Sequence, residues 1–124
     1  MARETPQREA VRRAFEHAGR PLSAEEAREL ADADQPGIGA ATVYRAINQA
    51  VQDGLLKAVA LPGETTARYE LASLGHHHHF ECLACHKVFD IEGCPGGIKS
   101  LLPEGFTLEQ HDLTLFGKCK ECAA

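Results

Sequence analysis

The sequence predicts an α+β chain in two halves: a winged helix-turn-helix over residues 1–72, a hinge over 73–76 and a small α/β domain over 77–124. Three observations predict it. Three amphipathic helix patterns are followed by a short hairpin pattern, the order of a winged helix-turn-helix. All five cysteines and six of the seven histidines fall after residue 75. Four of those cysteines stand in two Cys-x2-Cys pairs, the spacing with which a chain presents thiolates to one metal ion.

Thr5 and Pro6 open the first helix, with Thr5 as N-cap and Pro6 in the first turn, where its missing N–H costs nothing. Ala10, Val11, Ala14, Phe15 and Ala18 recur at helical spacing, and Gly19 ends the run. Ser23 caps a second helix with Glu26 three residues on, the spacing of a capping box. Ala27, Leu30 and Ala31 form its apolar stripe, and Asp34-Gln35-Pro36-Gly37 breaks it. A third helix starts near Gly39. Val43, Ala46, Ile47 and Ala50 face inward; Tyr44, Arg45, Asn48 and Gln49 face outward; Asp53-Gly54 closes it. Leu55 to Leu61 and Arg68 to Leu71 read as strands around a Pro62-Gly63 turn. In this arrangement the third helix is the one that enters a DNA major groove, its outward Tyr44, Arg45 and Asn48 suited to phosphate and base contacts. The same residues also suit any solvated helix face.

Beyond the hinge, Phe80 to Cys82, Val88 to Ile91 and Phe106 to Phe116 read as strands, and Pro95 to Leu102 as a short helix. This half is too small to bury much core of its own, so a metal staple and a partner subunit would both stabilise it.

The formal net charge of −5 argues against a protein coated in nucleic acid but not against a DNA reader, which needs only a local basic face. No apolar run reaches the length of a membrane span, and the charged N-terminus has no apolar signal segment. The expectation is a cytoplasmic protein with no membrane partner and no small organic ligand. In that compartment cysteines serve as thiolates or metal ligands more often than as disulfides.

Cys82-Leu-Ala-Cys85 and Cys119-Lys-Glu-Cys122 supply four thiolates, a closed tetrahedral set suited to a structural zinc ion. A redox dithiol pair or a disulfide is the competing reading. Cys94 is left over, either a buried thiol or a further ligand. The run His76-His77-His78-His79 has a geometric reading if it is extended. Side chains then alternate, so His77 and His79 share one face and His76 and His78 the other, and one strand can serve two metal sites. Glu70, Glu81, Asp90, Glu92 and His111 are available to complete them. A histidine and carboxylate set suits Zn(II), Fe(II), Mn(II) or Ni(II). Imidazoles ligate only when neutral, so affinity is expected to fall below about pH 6. His17 and His86 read as surface residues.

Three segments together resemble the ferric uptake regulator family, whose members include iron, zinc, manganese and peroxide sensors. Ala40-Ala41-Thr42-Val43-Tyr44-Arg45-Ala46-Ile47-Asn48 is similar to the family's recognition helix, Arg68-Tyr69-Glu70-Leu71 to its wing strand, and His76 through Cys85 with Cys119 and Cys122 to its dimerisation domain. The resemblance implies a homodimeric repressor that binds palindromic operator DNA when loaded with metal and controls metal-uptake genes. It implies DNA contacts at Arg8, Thr42, Tyr44, Arg45 and Asn48, and a structural Zn(II) at Cys82, Cys85, Cys119 and Cys122. It places a regulatory divalent ion at Glu70, His77, His79 and Asp90, and a third site at His76, His78 and His111.

Two departures from the family's pattern stand out. Pro21 occupies the position where the sensory site often gains a histidine, and no glutamate stands near Gly97 to complete the third site. Cys94 is close by and is expected to replace it. A thiolate beside imidazoles favours zinc, so zinc is the first expectation for the sensed metal, then iron or manganese. Peroxide sensing is disfavoured, since the family's peroxide sensors resemble one another in carrying aspartate where Glu70 stands.

Two rival classes are weaker. A metallochaperone or metal-storage protein without DNA binding explains the ligands but not the helical half. His79-Phe80-Glu81 resembles the His-x-Glu of zinc deaminases, but Cys82 follows at once and no proline precedes either Cys-x2-Cys, so no enzyme is expected.

Overall fold

The computed structural model describes residues 5–63, 65–73, 77–94 and 96–124. Helix α1 (Pro6–Ala18) begins as its sequence dictates: the Thr5 side chain accepts the Arg8 amide, and Gly19 at φ 62° forms the left-handed cap. Strand β1 (Leu22–Ser23) leads into α2 (Ala24–Ala31), whose capping box is complete, with the Glu26 amide 3.1 Å from Ser23 Oγ and the Ser23 amide 3.0 Å from the Glu26 carboxylate. Helix α3 (Ala40–Gln52) buries Val43, Ala46 and Ile47. Strands β2 (Leu56–Val59) and β3 (Arg68–Leu71) complete an antiparallel sheet in the order β1-β3-β2.

Among the described residues, the contiguous core lies in this half. Phe15, Leu22, Ala27, Val43, Ile47 and Leu56 are its centre. Leu30, expected on the inward stripe of α2, is half exposed, because the helix has only eight residues and packs through its alanines.

The second half is a three-stranded sheet. Strand β4 (His78–Cys82) is central, antiparallel to β5 (Val88–Ile91) and parallel to β6 (Thr114–Gly117). The strand expected from Phe106 is much shorter, spanning only Thr114–Gly117; just before it the Leu113 carbonyl accepts the His79 amide at 3.1 Å. The expected short helix is a single 3-10 turn, Ile98–Leu101. One further turn, α4 (Lys120–Ala123), and the two-residue β1 were too short to leave a periodic signal. Among the described residues, the hydrophobic or thiol side chains buried in this half are Cys82 and Val88. No helix among the described residues is long and apolar enough to cross a membrane.

Candidate metal centres and nucleic-acid face

Strand β4 organises the chemistry. Its alternation sends His77 (just before it) and His79 to one group of ligands, and His78 to another, as an extended run requires. His76 lies outside the described residues, so the third-site expectation is traced through its other three members.

The first group joins the two halves. Glu70 comes from β3 and is buried; His77, His79 and Asp90 come from the second half, where His79 and Asp90 face each other across β4 and β5. His77 Nε2 is 2.9 Å from Glu70 Oε2 and 3.2 Å from Asp90 Oδ1; His79 Nε2 is 3.2 and 3.6 Å from the same two oxygens. A tetrahedral zinc with bonds of about 2.0–2.1 Å has donor-to-donor edges of about 3.3–3.4 Å, so these four distances bracket the geometry required.

The electrostatics agree. Burial would raise Glu70, but hydrogen bonds with His79, His77 and Asp90 outweigh it and hold the carboxyl down to about 2. Burial, then the hydrogen bond and charge of Glu70, push Asp90 up to about 6. Two carboxylates this close do not both ionise readily without a cation between them. Asp90 Oδ1 is moreover buried with no hydrogen-bond donor among the described residues, although two ring nitrogens stand near it. A divalent ion fits this donor set and would satisfy that oxygen.

The second group is Cys82, Cys85, Cys119 and Cys122, with Cys119 as the N-cap of α4. Cys85 and Cys119 sulfurs are 3.9 Å apart, close to the edge of about 3.8 Å for a tetrahedron with 2.3 Å zinc–sulfur bonds and far beyond a disulfide. Amides of Cys85 and Cys119 donate to Cys82 Sγ, each at 3.4 Å, and pull that thiol down to about 5. Cys122 is pushed up to about 12 by hydrogen bonding with Cys119 and Cys82. Cys82 and Cys122 thus hold their protons unequally, and a thiophilic dication would replace those protons.

The third group is His78, Cys94 and His111. Cys94 Sγ is 2.9 Å from His111 Nε2 and 3.4 Å from His78 Nε2. Here the backbone amide of Leu113 donates to His78 Nδ1 at 3.2 Å, which leaves the ring proton of a neutral His78 on Nε2, facing sulfur. An ion taking Nε2 must first displace that proton and break the Leu113 contact, so this group is less preformed than the other two.

On the opposite end of the chain, Tyr44, Arg45 and Asn48 are exposed on one face of α3, and Arg45 Nη2 donates to Thr42 Oγ1 at 3.3 Å. Arg8 borders a groove between α1 and the C-terminal end of α3, together with Gln49 and Asp53. Pro21 is fully buried and supplies no ligand; neither His17 nor His86 belongs to a cluster among the described residues. Sequence reasoning missed Lys57, whose Nζ is 3.7 Å from Glu70 Oε1; the cross-strand pairing of the two residues in the hairpin was the signal that could have found it.

A sequence model described as the ferric uptake regulator family matches residues 1–116. The chain belongs to the ferric uptake regulator family. A ferric uptake regulation protein of Synechococcus elongatus is 36% identical over 127 residues, covering 97% of this chain and 85% of that protein. The ferric uptake regulator of Helicobacter pylori, described as having three functional metal-binding sites, aligns with a TM-score of 0.70 at 27% identity over 98% of this chain and 83% of that one. A zinc-bound manganese uptake regulator aligns with a TM-score of 0.81 at 25% identity, covering 95% and 91%. The family comprises metal-responsive transcription regulators that bind DNA and act as dimers, and its members are not enzymes.

Proposed function

We propose that this chain is a homodimeric repressor that binds palindromic operator DNA when Glu70, His77, His79 and Asp90 hold a divalent ion, and that it controls metal-uptake genes. The observation that carries the reading is the origin of the ligands: one from the wing strand β3, three from the second half, at distances a tetrahedral ion needs. An ion held by both sets would fix the angle between the two halves; the expected hinge at 73–76 falls largely outside the described residues. Each α3 then meets one half-site of a palindrome through Arg8, Thr42, Tyr44, Arg45 and Asn48. The metal acts as an allosteric ligand because the open form offers it fewer donors.

Cys82, Cys85, Cys119 and Cys122 hold a structural zinc that stands in for the core this half lacks. Cys94 and His111, joined by His78 once it releases the Leu113 amide, form the third site. Its sulfur makes zinc the first choice as effector, with iron(II) and manganese next. The second copy covers the open side of β6, an edge strand that exposes Leu115 and Phe116, with Leu101 and Phe106 exposed in the same half.

The test is selection from sheared genomic DNA with chelator, then with zinc, manganese or anaerobic iron(II) at equal free concentration. Enrichment of one palindrome with one metal is expected and names the effector. Folded, zinc-bearing protein that retains no DNA with any metal is instead a metal-handling protein.

A further inference from the structure

Residues 68 and 70 lie on the same side of β3, and both are buried. Glu70 reaches the ligand cluster. Arg68 also crosses to the second half: its Nη2 donates to the backbone carbonyl of His86 at 2.8 Å. That carbonyl belongs to the turn that closes the first Cys-x2-Cys, where the His86 amide donates to the Cys82 carbonyl at 2.8 Å and His86 adopts φ 64°. A non-glycine residue in the left-handed region needs surroundings that hold it there.

The other end of Arg68 is equally fixed. Nη1 donates to Glu26 Oε1 at 2.9 Å, the oxygen that completes the capping box of α2. Glu26 Oε2 accepts from Arg20 at 3.1 Å, and the Arg20 guanidinium lies 5.8 Å from the centre of the Phe89 ring on β5. Two arginines sharing one carboxylate thus project from the winged-helix half onto a carbonyl and an aromatic face of the other half, and neither contact uses a metal.

We infer that Arg68 is a positioning residue for the regulatory ion: by tying β3 to the turn after Cys85, it presents Glu70 to His77, His79 and Asp90 before the ion arrives. The inference rests on the proposed sensory role of those four residues. It also links two metal sites. The turn that supplies the His86 carbonyl follows Cys82 and Cys85 directly, so Arg68 connects β3 to the segment that carries two of the four thiols. A second-half ligand set missing only Glu70 binds more weakly, and Arg68 contributes by removing the cost of bringing Glu70 across.

The experiment is a double-mutant cycle on the full-length, zinc-bearing protein, reading regulatory-metal affinity by calorimetric titration with Mn(II) and Zn(II). Arg68→Gln is expected to weaken binding about tenfold in the otherwise unchanged chain, the scale of an outer-shell loss. In a Glu70→Ala background the same change is expected to alter affinity by less than about twofold, because Arg68 acts only through Glu70. Equal losses in both backgrounds would reduce Arg68 to a general stabilising contact and overturn the inference, as would no loss in the unchanged chain. Arg68→Lys, which keeps the charge beside Glu26 but lacks a second donor arm for the His86 carbonyl, runs the same cycle if Arg68→Gln does not fold. Failure of the sensory reading itself is distinct: Glu70→Ala alone would then leave affinity untouched.

Discussion

Asp90 gives the regulatory cluster a proton to lose. Its carboxyl is pushed up to about 6 by burial and by Glu70, whereas Glu70, held down to about 2, is ionised throughout the working range. An ion can take the Asp90 oxygen only after that proton leaves, so affinity carries a factor set by the protonated fraction. With a value of about 6, the penalty is about 1.1-fold at pH 7 and about 11-fold at pH 5, a net change of about tenfold from Asp90 alone. The imidazoles add their own pH dependence, so the comparison that isolates Asp90 is with Asp90→Asn. Calorimetric titration at pH 7 and pH 5 should show the affinity advantage of the natural chain over Asp90→Asn shrinking by about tenfold at the lower pH.

The metal-free chain should show the opposite trend in stability. The raised value of Asp90 contributes stability that is full below its ordinary 3.8 and is lost as pH rises through about 6. Glu70 contributes stability that is present above its ordinary 4.5 and lost only as pH falls toward 2. Between pH 5 and 7, therefore, the metal-free melting temperature should fall with rising pH and the metal-loaded one should not. An affinity ratio between the natural chain and the Asp90→Asn variant that stays constant from pH 7 to pH 5 would mean that Asp90 releases no proton when the ion binds.

Two other perturbations follow from the same geometry. Stripping the ion from the four cysteines, or Cys122→Ser, should unfold residues 77–124 while α1, α2 and α3 persist, because the core lies wholly in the first half; zinc contributes about 10–16 kcal/mol in zinc-dependent folds, comparable to the total of about 5–15 kcal/mol for a whole domain. Amide exchange at Val88 reads it, and unchanged protection there would count against the structural role. Arg45→Ala should weaken DNA binding across all sequences and flatten the salt dependence by about 0.9 per protomer, or about 1.8 for a dimer, if Arg45 meets a phosphate; an unchanged slope would remove Arg45 from the phosphate contacts.

How much of this was legible in the sequence depends on the range of each interaction. Helix ends are local, so Thr5, Gly19, Ser23 and Glu26 announced themselves and the structure has each cap where expected. The alternation of the histidine run is also local, and it correctly divided His77 and His79 from His78. Two Cys-x2-Cys pairs foretold a four-sulfur cluster because spacing alone brings two thiolates of each pair together. The groups that meet across the halves were harder. Glu70 and Asp90 were candidates alongside Glu81 and Glu92, and only the resemblance singled them out, since no periodicity says which carboxylates face a given strand. Arg68 and the His86 carbonyl left no trace, because a guanidinium bound to a distant backbone oxygen depends on how two domains pack, and a backbone carbonyl has no side-chain signature. The short β1 and the truncated β6 failed for the same reason: their extent is set by partner strands rather than by their own residues.

The measurement that bears most closely on the proposed mechanism is operator affinity, with and without the effector metal, for the natural chain and for Glu70→Ala, both shown to retain the four-cysteine zinc. The natural chain should gain affinity on metal addition, by about 5–150-fold for a typical coupling, and Glu70→Ala should lose most of that gain while metal-free affinities stay equal. If Glu70→Ala responds to metal as fully as the natural chain, the ion does not bridge the two halves through β3, and the proposed switch is wrong.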